Sequence, residues 1–225
     1  MVPDSDKKKL VILGAGSHGL EVLSIVDDIN RESNRYEVLG FLDDDKNKHQ
    51  KEVGGVPVMG SLKSIEDFPD VYLITAMQGI DNFWKIEELL KDVCKDAKRF
   101  TTLIHPSASV SQRSQIGFDC IIFPHVTIGV NVRVGNHINI LPNSVINHDS
   151  QIGDYSILTS GICVSGRVSL GKRCYLGSGT KIIQNIQIGE QCLTGIGSVV
   201  LNNLPANGVV AGSPARFLRK TVAND

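Results

Sequence analysis

Ile146-Asn147-His148-Asp149-Ser150-Gln151-Ile152-Gly153-Asp154-Tyr155-Ser156-Ile157-Leu158 places an aliphatic residue at every sixth position. The same step meets Val110, Ile116, Ile122, Ile128, Val134 and Ile140 upstream, and Val164, Leu170, Leu176, Ile182, Ile188, Thr194 and Val200 downstream. Fifteen of these sixteen residues are Ile, Leu or Val. A period of six fits neither a helix nor a hairpin sheet. It fits a parallel β-helix, a prism in which each side uses six residues and the aliphatic side chain points inward. The residue two before each aliphatic position, such as Cys120, Ser144, Ser156 or Cys174, is expected near a corner, where space is short. Gly117, Gly129, Gly135, Gly153, Gly171, Gly177, Gly189 and Gly195 each follow an aliphatic position and are expected at turns that need positive φ. Three sides make a coil of about eighteen residues, with coils ~4.8 Å apart. The phase holds from Val110 to Val200, so no large loop is expected inside that span.

Ahead of the repeat the grammar differs. Leu10-Val11-Ile12-Leu13 reads as a buried parallel strand ending at Gly14. A helix follows from Ser17 to Ile29, then a strand over Val38–Leu42 and another over Val71–Ile74. Asn82 is expected to start a helix carrying Ile86, Leu89, Leu90 and Val93. This is a small α/β unit, about half of a full dinucleotide-binding fold. The expected division is an α/β domain over 1–104 and the β-helix over 105–225, closed by a short basic helix from Arg216 to Val222.

Composition narrows the function. Of 225 residues, 23 are Lys or Arg and 24 Asp or Glu, so the net charge of −1 gives no pull toward nucleic acid or an anionic membrane. Aromatic residues make up 5 %, too few for base-stacking modules. No apolar run reaches the ~18 residues of a membrane span. Met1–Lys9 carries both charge signs ahead of a short apolar run, so no signal peptide is expected. Cys94, Cys120, Cys163, Cys174 and Cys192 are odd in number and form no CxxC pair, which points to buried thiols in a reducing cytoplasm. No His, Asp or Glu cluster has metal-ligand spacing.

Two places carry chemistry. Gly14-Ala15-Gly16-Ser17-His18-Gly19 lies between a strand and a helix, where backbone amides favour phosphate. Asp43 and Asp44 close the next strand, the place of a ribose-binding acid. The loop suits either NAD or a nucleotide-sugar diphosphate, and the short domain favours the latter. The second place is His148-Asp149, two residues after inward Ile146 and two before Ser150. The pair is expected at a turn, facing outward. It reads either as a general base with an orienting carboxylate or as two polar residues on a corner. His105 precedes Pro106 at the domain junction, His125 and His137 read as surface or inter-subunit packing, and His49 lies in a charged loop.

The layout as a whole resembles the NeuD/PglD-type sugar acetyltransferases, including the perosamine and other 4-amino-sugar N-acetyltransferases. The glycine loop comes first, then His105-Pro106-Ser107-Ala108 and the repeat. His148-Asp149 is followed by Ile152-Gly153-Asp154-Tyr155, and Gly212-Ser213-Pro214-Ala215-Arg216 stands near the end. The resemblance implies a left-handed β-helix and a homotrimer with acetyl-CoA in the groove between prisms. It implies a nucleotide-linked amino sugar, a 4-amino-4,6-dideoxy sugar, on the first domain at Gly14, Gly16, Ser17, His18, Gly19, Asp43 and Asp44. His148 is then the base and Asp149 its partner. Pro214 and Arg216 shape the CoA groove, and amides at Gly177, Gly179, Gly195 and Gly197 meet the pantetheine and thioester. Ile157 stands where many members carry a second histidine at the thioester end. That departure keeps open a non-catalytic trimeric nucleotide-sugar binder. O-acetylation of a sialic-acid-type sugar is the other alternative.

Overall fold

The computed structural model describes residues 7–91 and 93–221. Met1–Asp6 and Val222, part of the charged start and of the basic tail, lie outside them. The first domain is a sheet of five strands: β1 (Lys8–Leu13), β2 (Tyr36–Leu42), β3 (Glu52–Val53), β4 (Val56–Gly60) and β5 (Tyr72–Thr75), in the order β3-β4-β2-β1-β5. Strands β2, β1 and β5 run parallel, and β3 is antiparallel to β4. The hairpin between β3 and β4 turns on Gly54-Gly55, both at positive φ. Helix α1 (Ser17–Ser33) buries Val22, Leu23, Ile25, Val26 and Ile29. The chain leaves β1 toward β2 on one side, while β5 lies on the other, so the C-terminal end of β1 is a switch point, where such sheets hold ligands. Helix α2 covers only Ile86–Lys91. It starts later than expected because Asn82 is used in the preceding turn, accepting from the Gly79 amide and donating to the Met77 carbonyl.

The remainder is a parallel β-helix. Its seventeen rungs are two-residue strands, β6 (Leu103–Ile104) to β22 (Val199–Val200). Each rung pairs with the one eighteen residues on, as Thr127 with Val145 and Gln151 with Ser169. Three faces result. The first holds the rungs at 109–110, 127–128, 145–146 and onward, the second those at 115–116, 133–134 and 151–152, and the third those at 103–104, 121–122, 139–140 and 157–158. The first rung precedes His105, so the prism begins at Leu103, two residues before the expected boundary. The aliphatic column is buried throughout its middle, and the residues two before it, including Ser144, Ser150 and Ser156, are fully buried beside it.

The glycines after the aliphatic positions have a different reason from the one expected. None of the eight is at positive φ. Most stand where the next coil passes close: a Cβ on Gly171 would lie 2.5 Å from the Glu190 amide nitrogen, and one on Gly153 2.5 Å from Gly171 carbon. Positive φ falls two residues later, at Asp119, His125, Asn131, His137, Asn143, Asp149 and Tyr155, and at Gly161 and Gly179. Asn, Asp, His and Gly, the types that tolerate the left-handed region best, fill most of these corners, while Tyr155, Arg167, Arg173 and Gln191 stand at others. Gly171→Ala is therefore expected to destabilise by about 1–3 kcal/mol, the cost of overpacking against backbone that cannot yield. A thermal unfolding curve checks it; an unchanged midpoint would contradict the close-approach reading.

The C-terminal segment is not a helix. β23 (Gly208–Ala211) continues the third face and pairs with β24 (Arg216–Lys220) in an antiparallel hairpin. A helix of about two turns has little stability of its own. The last strand of the third face instead offers unpaired amides and carbonyls that β24 satisfies.

Candidate active site

At the switch point a cleft of about 710 Å³ opens between the glycine loop and the segments after β2 and β5. Gly14, Gly16, Asp43 and Asp44 line it, with Lys48, Lys63, Lys85 and Met77. Gly14 is at φ +108, and a Cβ there would strike the Ala76 carbonyl at 2.8 Å. The acids prove to be spoken for by the protein. Asp43 Oδ2 accepts from the Ala15 amide and from Lys48 Nζ, and Oδ1 from the Asp45 amide. Burial would raise this carboxyl, but the Lys48 contact and the amides of Asp45 and Ala15 outweigh it and hold the group below its ordinary value. Asp44 accepts from the Leu62 amide. Both acids thus brace the cleft wall.

Ser17, His18 and Gly19 are not among the cleft-lining residues. His18 faces the prism instead. Its ring stacks on Phe123 at 5.9 Å, Nδ1 donates to Glu21, and Nε2 accepts from Asn139 Nδ2 at 3.1 Å. Gly19 lets helix α1 enter beneath the loop, since a Cβ there would lie 2.3 Å from the Gly14 carbonyl oxygen.

His18 is one of several ties between the α/β domain and the third face. Phe83 contacts Tyr175, Glu87 pairs with Arg173, and His105 lies 3.1 Å from Asp28. His137, expected at the surface or between subunits, is buried here. It donates Nδ1–H to fully buried Asp119 at 2.6 Å and stacks on Tyr155 at 4.7 Å. Burial pushes the Asp119 carboxyl up, against the pull of His137 and the Thr75 amide.

The His148–Asp149 pair stands at the edge between the first and second faces, and both residues are exposed. Adjacent residues in a strand would point apart, but Asp149 is at φ +59 and turns its carboxylate back. Asp149 Oδ2 lies 2.8 Å from His148 Nδ1, and Oδ1 accepts from Asn131 Nδ2 at 3.1 Å. The His148 contact first, and then Asn131, hold the Asp149 carboxyl below its ordinary value. An ionised Asp149 can only accept, so Nδ1 carries the proton and Nε2 keeps its lone pair for chemistry.

The α/β domain covers the third face, and the edge between the other two faces is the edge opposite it. A chain therefore carries the domain with its glycine-loop cleft and its His–Asp pair on opposite sides of the prism.

The PglD N-terminal domain family matches residues 9–79. PerB from Caulobacter crescentus, solved with CoA and GDP-perosamine, shares 27 % identity over 94 % of this chain and 97 % of its own, with a TM-score of 0.81. The first domain matches the PglD N-terminal domain family, and the chain as a whole resembles the NeuD/PglD-type sugar acetyltransferases. The acetyltransferase domain of PglB from Neisseria gonorrhoeae FA1090 shares its fold, at 24 % identity, 94 % and 100 % coverage and a TM-score of 0.82. WeeI from Acinetobacter baumannii AYE does so at 23 % identity, 94 % and 100 % coverage and a TM-score of 0.81. No curated protein sequence matches the chain. The shared architecture is an α/β domain followed by a left-handed β-helix.

Within this acetyltransferase the other expected residues fall as follows. Ile157 is on the third face, paired between Asn139 and Tyr175 and 4 % exposed, so it is remote from His148 of its own chain. The amides of Gly177, Gly179, Gly195 and Gly197 already donate along the coils, to Thr194, Ser160, Val210 and Ser178. They are not free to meet a thioester. Pro214 lies in the turn of the C-terminal hairpin, and Arg216 begins its exposed outer strand. Asn131 went unnoticed in the sequence. Its signal was the eighteen-residue step, which places it directly beneath Asp149.

Proposed function

We propose that the chain transfers acetyl from acetyl-CoA to the amine of a nucleotide-linked amino sugar, at sites completed between copies of a homotrimer. The observation that carries this is the placement of the cleft and of the His148–Asp149 pair on opposite sides of one prism. Two copies packed side by side would set the cleft of one against the pair of the next. The solved complex of PerB with CoA and GDP-perosamine supports a 4-amino-4,6-dideoxy sugar as acceptor. The free thiols of Cys94, Cys120, Cys163, Cys174 and Cys192 suit the cytoplasm, where such a reaction would feed surface-glycan synthesis.

In the reaction the amine lone pair attacks the thioester carbonyl carbon. The C–N bond forms as the carbonyl electrons move to oxygen, and the ammonium proton passes to Nε2 of His148. Collapse restores the carbonyl, breaks the C–S bond, and the leaving thiolate takes the proton back from the imidazolium. Asp149 keeps the tautomer and steadies the charged ring. The cations Lys63 and Lys85 at the cleft wall face the diphosphate.

Because the Asp149 carboxyl is held low, the pair persists as pH falls and is lost only below the ordinary carboxylate value of about 3.9. Asp149→Asn is therefore expected to lower kcat by about tenfold or more at every pH above about 5. A pH–rate profile of both proteins checks this; curves that merge at neutral pH would contradict it.

The function itself is tested by CoA-thiol release against UDP-, GDP- and dTDP-linked 4-amino-6-deoxy sugars, with the product's acetyl linkage read by NMR. Turnover to an N-acetyl product is expected. An O-acetyl product, or ligand binding without turnover on any member, would overturn the reading.

A further inference from the structure

What seats the His148 ring can be read from the column of residues at its own corner, given the base role proposed above. The corner between the first and second faces recurs every eighteen residues and reads Gln112, Val130, His148, Gly166 and Gln184. Only Gly166, on the coil after His148, has no side chain. A Cβ built there would lie 2.5 Å from Nε2, 2.6 Å from Cε1 and 3.1 Å from Cδ2 of His148. The imidazole fills the space in which a side chain of the next coil would stand.

Neither of the usual reasons for glycine applies at this position. Gly166 is not at positive φ, so the backbone conformation suits any residue. The nearest atoms to its missing side chain all belong to the His148 ring, whereas at Gly153, Gly171 and Gly189 they belong to the backbone of the next coil. A side chain at 166 would therefore disturb His148 and spare the ladder, and the half-exposed ring has room to swing away.

We propose that Gly166 is a positioning residue: its missing side chain seats the imidazole so that Nδ1 stays on Asp149 and Nε2 stays presented at the edge. Displacing a catalytic group by about 1 Å costs on the order of 10²-fold in rate. Gly166→Ala forces a displacement of that order, because the shortest distance a Cβ tolerates is longer than the 2.5 Å found here.

The test compares wild type, Gly166→Ala, His148→Ala and the double variant. Gly166→Ala is expected to lower kcat at least about tenfold, with both KM values within about twofold. The unfolding midpoint is expected to stay within a few degrees. Added to His148→Ala, it is expected to change kcat no further, because the ring it acts on is gone. A second reading needs no activity. In ¹H–¹⁵N spectra of the histidine rings, with His148 assigned by its loss in His148→Ala, the His148 signals are expected to shift in Gly166→Ala and those of exposed His125 to stay. An unmoved His148 signal, or an equal loss of kcat in both backgrounds, would overturn the proposal. Should the wild type prove inactive on every acceptor, the spectra alone decide the seating, and the failure belongs to the function proposed above.

Discussion

His148→Ala is expected to lower kcat by about 10²- to 10⁴-fold, the range that a positioned general base supplies. The argument rests on protonation and place. The Nδ1 proton is fixed on Asp149, so Nε2 is the ring's open acceptor, and the ring is half exposed at a prism edge where a substrate from another copy can reach it. Removing the ring leaves the amine without a proton acceptor as the C–N bond forms. It removes no core contact, so the unfolding midpoint should hold and acetyl-CoA should bind as before. The measurement is steady-state CoA-thiol release beside a thermal melt. A variant within threefold of wild type would show that solvent accepts the proton and that His148 is a corner residue only.

Gly19→Ala is expected to weaken nucleotide-sugar binding by about 5- to 150-fold while leaving the prism intact. Its methyl would sit 2.3 Å from the Gly14 carbonyl oxygen and 3.2 Å from the Phe41 ring. Neither neighbour can yield cheaply. Gly14 is itself pinned, its amide on Leu42 and its Cα against Ala76, and Phe41 is fully buried. The glycine loop must open or helix α1 must withdraw. Overpacking of this kind costs about 1–3 kcal/mol, which is roughly a 5- to 150-fold rise in dissociation constant if it falls on the cleft. Calorimetric titration with the nucleotide sugar reads the loss, and titration with acetyl-CoA should read none. Equal weakening of both ligands would contradict the division of labour between the two domains.

Much of this was legible in the sequence, and the exceptions share physical causes. The repeat announced the prism because inward packing allows one residue class at every sixth position. The first sheet was legible from Leu10–Leu13 and Val38–Leu42, buried runs that stop at Gly14 and Asp43. The hairpin at Gly54-Gly55 was missed although two glycines between Val53 and Val56 are a turn signal. The C-terminal strand was missed because Arg216–Lys220 has no pattern of its own; it is a strand because the third face would otherwise end unpaired. His137 looked like a surface residue because the repeat says which residues face inward but not which outward face another domain will cover. The same limit hid the role of Asp43, whose partners Ala15 and Lys48 come from separate segments. The glycines after the aliphatic column were located correctly but for the wrong reason: close approach of coils and left-handed corners both favour glycine, and a sequence does not separate them.

The most direct test of the shared site is subunit complementation. His148→Ala and Gly19→Ala chains, carrying different affinity tags, are co-produced and the doubly tagged trimers isolated. CoA-thiol release is then measured at a nucleotide-sugar concentration at which each variant alone is silent. If each site joins the base of one copy to the cleft of the next, one site in three of every doubly tagged trimer has both parts intact, and about a third of wild-type activity returns. Activity no greater than that of the two parents would mean that each chain serves its own cleft, and the account of opposite faces completed by a neighbour would be wrong.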